Sequence, residues 1–127
     1  MTPKAAIVVG ATGGLGHGVA IGYRSNCDKA KAIAAELPAT CETLPVHCDL
    51  ADAASITASI AQARDHFGGI GTVVFASGVA IEQPFVSKIS EDQWREVIET
   101  ELIGLTRVVS ATLPIFREQK FGNFVIV

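Results

Sequence analysis

The chain has 127 residues, of which 49% are apolar and 18% charged, and its formal net charge is −3. These values are typical of one soluble globular domain with a hydrophobic core, and they exclude a disordered chain or a disulfide-rich scaffold. Basic and acidic residues are interspersed, so the sequence predicts no basic surface for nucleic acid.

The expected cellular location rests on three features of the sequence: targeting segments, long apolar runs and cysteine spacing. The sequence shows neither the pattern of a signal peptide nor an apolar run near the roughly 20 residues that span a bilayer. The number of cysteines is odd, and no two of them form a C-x-x-C pair: they are Cys27, Cys41 and Cys48. We therefore expect reduced cysteines, no metal site, no membrane partner and a cytoplasmic location.

The first predicted element is a buried strand over Ala5–Val9, which runs into a glycine-rich turn. Gly10, Gly14 and Gly16 follow the strand in the spacing G-x-x-x-G-x-G. Glycines at a strand end let backbone N–H groups approach a phosphate with no Cβ in the way. A turn of this kind directly after a buried strand predicts a dinucleotide-binding site.

The second predicted strand, Val19–Tyr23, follows too soon for a normal parallel connection. Nine residues, 10–18, separate it from Val9. A crossover between parallel strands needs about a dozen residues or more, usually with a helix inside. The nine residues cannot hold both the phosphate turn and a helix.

Two interpretations of this short connection are open. In the first, the chain lacks a segment between Gly16 and His17, and the residues after it form the second strand. In the second, residues 16–24 form the helix and the second strand is absent. Gly18 and Gly22 would each weaken such a helix by about 1 kcal/mol relative to alanine.

Further along the chain, helical patterns alternate with apolar runs. The first predicted helix begins after the capping candidates Ser25 and Asn26 and ends at Pro38. The second begins after Asp52 and ends at Gly68. The remaining predicted strands are Leu44–Cys48, Thr72–Phe75 and Phe124–Val127.

A long third helix is predicted over Glu91–Glu118. Ser90 and Gln93 have the spacing of a capping box, and one apolar face continues towards Phe116. Pro114 is expected to kink or end this helix. Together the elements predict one α/β domain over residues 1–127, with a doubly wound parallel sheet of the Rossmann-like type that is truncated after the fifth strand.

The sequence resembles the short-chain dehydrogenase/reductase family over almost its whole length, and within it the 3-oxoacyl-carrier-protein reductase type. The resemblance implies an oxidoreductase that acts on a small carbonyl or alcohol substrate. The matching stretches are GATGGLG at 10–16, VAIGYRSN at 19–26, HCDLAD at 47–52, VVFASG at 73–78 and WREVIETELIGLTRVV at 94–109.

The resemblance also implies which residues bind the cofactor. Asp49 would accept a hydrogen bond from the adenine amino group and Leu50 would pack on the ring, whereas Ala76 and Ser77 would lie along the nicotinamide-side ribose. The full implied set is Gly10, Thr12, Gly14, Leu15, Gly16, Arg24, Ser25, Asn26, Asp49, Leu50, Ala76, Ser77 and Gly78.

The residues after the second strand favour NADP over NAD. Enzymes of this fold that use NAD carry an acidic residue at the end of this strand, and those that use NADP carry arginine nearby. This chain has Tyr23 at that position, followed by Arg24. A guanidinium binds a dianionic phosphate well, so the sequence predicts NADP as the cofactor.

The catalytic part of the family pattern is not matched. The family transfers a proton through a serine, a tyrosine and a lysine four residues after it. Tyr23 is the only tyrosine, and no lysine lies four residues on. Glu101 stands where the family has a catalytic asparagine, either as a substitute in the proton relay or as an acid that faces water or a partner subunit.

We therefore expect an incomplete copy of the enzyme with no catalytic residues among these 127. The alternatives are a non-catalytic dinucleotide-binding module and a truncated product without function. A homo-oligomer through the long helix Glu91–Glu118 is also expected.

Overall fold

A five-stranded sheet lies at the centre of the protein. The computed structural model describes residues 7–13, 16–77 and 85–127, with side chains from residue 18 onward. The strands are β1 (Ile7–Gly13), β2 (Gly16–Tyr23), β3 (Glu42–His47), β4 (Thr72–Phe75) and β5 (Asn123–Ile126). The helices are α1 (Cys27–Glu36), α2 (Ala53–Phe67), α3 (Glu91–Val97) and α4 (Gly104–Gln119), with a π-helical segment (Ile98–Ile103) between α3 and α4 and a 3-10 turn at Val86–Lys88.

The order of the strands is that of a doubly wound α/β sheet, β3-β2-β1-β4-β5. Strand β2 is parallel to β3, and β4 is parallel to β5. The predicted α/β class is thus confirmed, with parallel pairs on both sides of the sheet. The direction of β1 corrects the expectation of a fully parallel sheet, because β1 runs antiparallel to both of its neighbours.

The short connection after β1 explains its direction. Gly13, the last residue of β1, pairs with Gly16, the first residue of β2. Two residues between paired strands make a hairpin, and a hairpin reverses the chain. Residues 16–23 therefore form a strand, and the interpretation that made 16–24 a helix is wrong.

Strand β1 is also longer than predicted at its carboxyl end. It continues to Gly13 instead of ending at Val9, because its pairing with β2 extends up to the hairpin. The glycines that the sequence placed in a phosphate turn are thus partly strand residues.

The helix ends follow the predicted local chemistry. The side chain of Asn26, rather than Ser25, caps α1 and accepts a hydrogen bond from Lys29 N at 2.9 Å. Asp52 caps α2, which ends at Gly68 with a φ of 77°. The predicted capping box at the start of α3 is complete: Ser90 Oγ accepts a hydrogen bond from Gln93 N, and Gln93 Oε1 accepts one from Ser90 N.

Of the two alternatives predicted for Pro114, a kink or the end of the long helix, the second is wrong. Pro114 lies inside α4, which continues to Gln119. A proline removes one helical hydrogen bond, but Val108, Ile115 and Phe116 are buried on one face of α4 and hold the helix on the sheet.

The main core lies between the sheet and the helices α2 and α4. Ala20 and Ile21 are both buried, although neighbouring side chains of a strand point to opposite faces, so β2 is covered on both faces. The core cluster consists of Ala20, Val46, Cys48, Leu50, Ile56, Ile60, Ala63, Ile70, Val73, Phe75, Val108, Ile115 and Phe116.

The end of α4 is fixed to the start of β4 by one side chain. The Gln119 amide accepts a hydrogen bond from Ile70 N at 2.9 Å and donates one to Ile70 O at 2.7 Å. These two bonds satisfy both backbone groups of a fully buried residue, which would be costly to leave unpaired.

Candidate functional site

Residues predicted to bind a cofactor lie at one edge of the sheet. Strands β2 and β4 are both antiparallel to β1, so they run in the same direction as each other and as β3. Their carboxyl ends meet at one edge, where Arg24 follows β2, Asp49 follows β3 and Ser77 follows β4. This edge is where α/β sheets of this kind bind their ligands.

A cavity of about 100 Å³ lies at this edge. It brings together Arg24, Asp49 and Leu50, as the resemblance implies. Arg24 Nε lies 3.8 Å from Asp49 Oδ1, and the two side chains are 47% and 29% exposed, so a ligand can reach both charges. The lining consists of Arg24, Asp49, Leu50, Ala51, Glu96, Glu99 and Thr100.

Backbone hydrogen bonds fix the loop that carries Asp49. Asp49 N donates to Ser55 Oγ on α2 at 2.9 Å, and Asp49 Oδ1 accepts from Ala51 N at 3.0 Å. Asp52 N donates to Asp49 O at 3.0 Å, which closes a turn. The carboxylate is thus held in one orientation while its other acceptor sites remain open to a ligand such as an adenine amino group.

The residues beside Arg24 have different local roles. Ser25 is exposed, and the side chain of Asn26 caps α1. A hydrogen bond with Cys27 raises the pKa of Tyr23 above its ordinary value. A tyrosine that exchanges protons near neutral pH needs a lowered pKa, so Tyr23 is unsuited to that chemistry.

The Ser77 hydroxyl provides a test of fit for a ligand. The residue is 8% exposed, and its Oγ is buried without a hydrogen-bond partner within the part of the chain that the structure describes. A buried hydroxyl without a partner is costly, and a ribose hydroxyl would satisfy it. Ala76 precedes it after β4, and Gly78 lies outside the described residues.

The glycine-rich stretch lies at the opposite edge of the sheet. Gly10 pairs with Thr72 at the start of β4, and Gly16 pairs with Gly13 at the hairpin. Because β1 is reversed, the hairpin lies about 20 Å along the strand from Ile7, which pairs with Phe75. Thr12 lies in the same part of β1, and Gly14 and Leu15 lie outside the described residues.

The structure thus brings the Arg24 and Asp49 group together but does not place the glycines beside it. In the described part of the chain β1 is followed by β2 and not by a helix, so Gly10 and Gly16 do not precede a helix N-terminus that would direct N–H groups and a dipole at a pyrophosphate. Arg24, Asp49 and Leu50, which the resemblance assigns to the adenosine end of a dinucleotide, line the cavity at the opposite edge.

Glu101, at the position of the family's catalytic asparagine, lies in the π-helical segment and is half-buried. Short π-helical segments inside α-helices occur frequently at functional sites.

Three cavity residues were not predicted from the sequence, because the apolar face of the long helix indicated mainly a core element. Glu96, Glu99 and Thr100 are spaced i, i+3 and i+4, so they share one helix face. A polar face at this spacing was the signal that could have identified them.

A larger cavity of about 470 Å³ lies between α2 and α4. It is lined by residues such as Thr57, Arg107 and Ser110, and none of the predicted cofactor residues borders it. The smaller cavity is therefore the candidate site.

The described ranges contain neither a membrane-spanning helix nor a cluster of metal ligands. No helix there has the length and hydropathy of a membrane span. The same ranges hold no group of three or more potential metal ligands.

Comparison with known proteins matches this chain and its fold to one family. The family model "short chain dehydrogenase" matches residues 4–127. The solved structure of an alcohol dehydrogenase from the archaeon Thermococcus sibiricus, complexed with 5-hydroxy-NADP, is 27% identical, with a TM-score of 0.72. The match covers 84% of this chain and 45% of that one.

Two curated reductases are also similar to this chain over most of its length. The 3-oxoacyl-[acyl-carrier-protein] reductase FabG of Staphylococcus aureus is 25% identical, over 96% of this chain and 54% of that protein. Acetoacetyl-CoA reductase of Paracoccus denitrificans is 29% identical, over 96% of this chain and 53% of that protein. The chain thus spans about half the length of these relatives.

The alignment with the Staphylococcus reductase also contains a gap in this chain. It extends over 134 positions, whereas 96% of 127 residues is about 122. About a dozen positions of the relative therefore have no counterpart here. On the match over residues 4–127, the chain belongs to the short chain dehydrogenase family of oxidoreductases.

Proposed function

We propose that this protein is an NADP-dependent oxidoreductase for a carbonyl/alcohol pair, and that residues 1–127 supply the binding site for the adenosine 2′-phosphate end of the cofactor. The observation that carries the proposal is the cavity in which Arg24, Asp49 and Leu50 converge from the ends of two neighbouring strands. The solved relative complexed with 5-hydroxy-NADP supports the choice of cofactor.

Each of these residues has a defined part in the proposal. The Arg24 guanidinium binds the 2′-phosphate, for which its exposed donors are suited. Asp49 accepts a hydrogen bond from the adenine amino group, and Leu50 contributes apolar surface against the ring. When bound, the cofactor supplies the hydride, and the residues named here bind and orient its adenosine end.

NAD is the second candidate cofactor, because carboxylates surround Arg24. Asp49, Glu96 and Glu99 all line the cavity, and they would repel a dianionic phosphate. Glu99 is paired with Arg107, which reduces this repulsion. Binding of NADPH and NADH by the same protein distinguishes the two candidates.

The proton-transfer step is not assigned to these residues. The serine, tyrosine and lysine that the resemblance implies have no counterparts among the 127 residues, and the pKa of Tyr23 is raised. For this chain alone we propose nucleotide binding without turnover, as a non-catalytic module would show.

The test is a set of calorimetric titrations of the 127-residue chain with NADPH, NADH and adenosine 2′,5′-bisphosphate. We expect NADPH to bind tighter than NADH by about tenfold, which is the effect of one charged hydrogen bond. We also expect the bisphosphate to bind within about fivefold of NADPH, because the glycines at the other edge add little to the affinity. Absence of saturable binding for all three nucleotides would contradict the proposal.

We further propose that the protein is cytoplasmic and forms a homo-oligomer through the long helix. Trp94, Ile98 and Leu102 follow one another at i, i+4 and i+8 and are 43%, 48% and 57% exposed. An apolar stripe of this kind is typical of an interface. We expect a dimer in sedimentation equilibrium and a monomer for Leu102→Lys, and a monomeric wild-type protein at high concentration would contradict this proposal.

A further inference from the structure

Arg107 connects α4 to the loop that borders the cavity. Its Nη1 donates a hydrogen bond to the Leu50 carbonyl oxygen at 3.0 Å and lies 2.5 Å from Glu99 Oε1. The Arg107 side chain is 26% exposed, so both contacts are partly shielded from water. One guanidinium thus contacts two residues that line the cavity.

The backbone of α4 lies very close to the same loop. A Cβ added at Gly104 would be 3.0 Å from Leu50 Cβ and 3.4 Å from Leu50 O. Gly104 and Arg107 are spaced i and i+3, so they lie on one face of the helix. The close approach at Gly104 therefore brings the Arg107 guanidinium within reach of the loop carbonyl.

We propose that Arg107 is a positioning residue for recognition of the adenosine end of the cofactor. The inference rests on the proposed function, and the residue acts through its neighbours. Its hydrogen bond fixes the Leu50 carbonyl and thereby the adjacent Asp49, and its ion pair keeps the Glu99 carboxylate from repelling the 2′-phosphate.

The two effects of Arg107 can be separated with a double variant. In Arg107→Met, both the bond to Leu50 and the charge that faces Glu99 are lost. In Arg107→Met with Glu99→Gln, the uncompensated carboxylate is removed as well, so any remaining defect comes from the loop. Arg95→Met is the matched control, because Arg95 pairs with Glu91 on an exposed part of α3.

The probe is adenosine 2′,5′-bisphosphate, titrated into the full chain. We expect Arg107→Met to bind it about tenfold more weakly than the wild type, and the double variant to remain about fivefold weaker. Arg107→Lys, which keeps a donor for the carbonyl, is expected to recover binding to within about threefold. Arg95→Met is expected to bind as the wild type does.

Amide hydrogen exchange gives a second readout that does not require ligand. In Arg107→Met, exchange at Ala51 and Asp52 should become faster, while the core strand β4 keeps its protection. Wild-type affinity in Arg107→Met, or equal weakness of the Lys and Met variants, would overturn the inference alone. A wild-type chain that does not bind the bisphosphate would overturn the proposed function and this inference together.

Discussion

Replacing Arg24 with glutamate is expected to weaken NADPH binding by about a hundredfold and NADH binding by no more than about threefold. In the proposed site the guanidinium makes the charge-assisted contacts to the 2′-phosphate, and each contact of this kind contributes about 1.5–3 kcal/mol. A carboxylate at this position would also join Asp49, Glu96 and Glu99 around the cavity. The effect thus combines a lost attraction with a new repulsion, and titration calorimetry at constant ionic strength measures it.

The control for this prediction is a charge reversal elsewhere on the protein. Arg64→Glu makes the same change in net charge near the carboxyl end of α2, where the native ion pair with Asp65 is exposed. We expect it to alter NADPH binding by less than about twofold, because salt screens distant charges. Equal losses for NADPH and NADH in Arg24→Glu would show that Arg24 does not contact a 2′-phosphate.

Ile60→Ala is expected to lower the free energy of unfolding by about 3 kcal/mol. Ile60 is 2% exposed and lies in the middle of α2, within the core cluster. Its truncation removes buried apolar surface and leaves a cavity that the close-packed sheet cannot fill. For a domain with a total stability of roughly 5–15 kcal/mol, this loss is large.

The matched variant is Ile33→Ala on α1, where the isoleucine is 43% exposed. We expect a loss of about 1 kcal/mol or less at that position. Urea unfolding of both variants, followed by circular dichroism, gives the comparison. Equal destabilisation would mean that α2 does not cover the main core.

Local features of this protein were predictable because their causes are local. The caps Asn26 and Asp52, the glycine that ends α2 and the capping box before α3 were recognised in the sequence, and each depends on residues within one helical turn. The resemblance also assigned Arg24 and Asp49 to the same cofactor, and both residues line one cavity at the carboxyl ends of parallel strands.

Features that depend on distant residues were missed. The role of Glu99 and Arg107 depends on how α4 approaches the Leu50 loop, more than 40 residues away in sequence. The sequence left open whether the long helix continues through Pro114, and burial of Ile115 and Phe116 in the tertiary structure outweighs the one lost hydrogen bond.

The sequence by itself determined the α/β class, through hydrophobic periodicity and capping chemistry, and its motifs indicated the family. The family resemblance also implied Arg24, Asp49 and Leu50 as residues of one site, and these three line the cavity. The sequence also determined that the connection after β1 is too short for a crossover helix. Only the tertiary structure decided the consequence: β1 reverses through a hairpin, and the glycines lie at the edge opposite Arg24 and Asp49. The physical reason is that the length of a connection limits the direction of the strands it joins. The nine residues between Val9 and Val19 are too few for the crossover that parallel strands need, so β1 pairs with its neighbour β2 in the antiparallel sense.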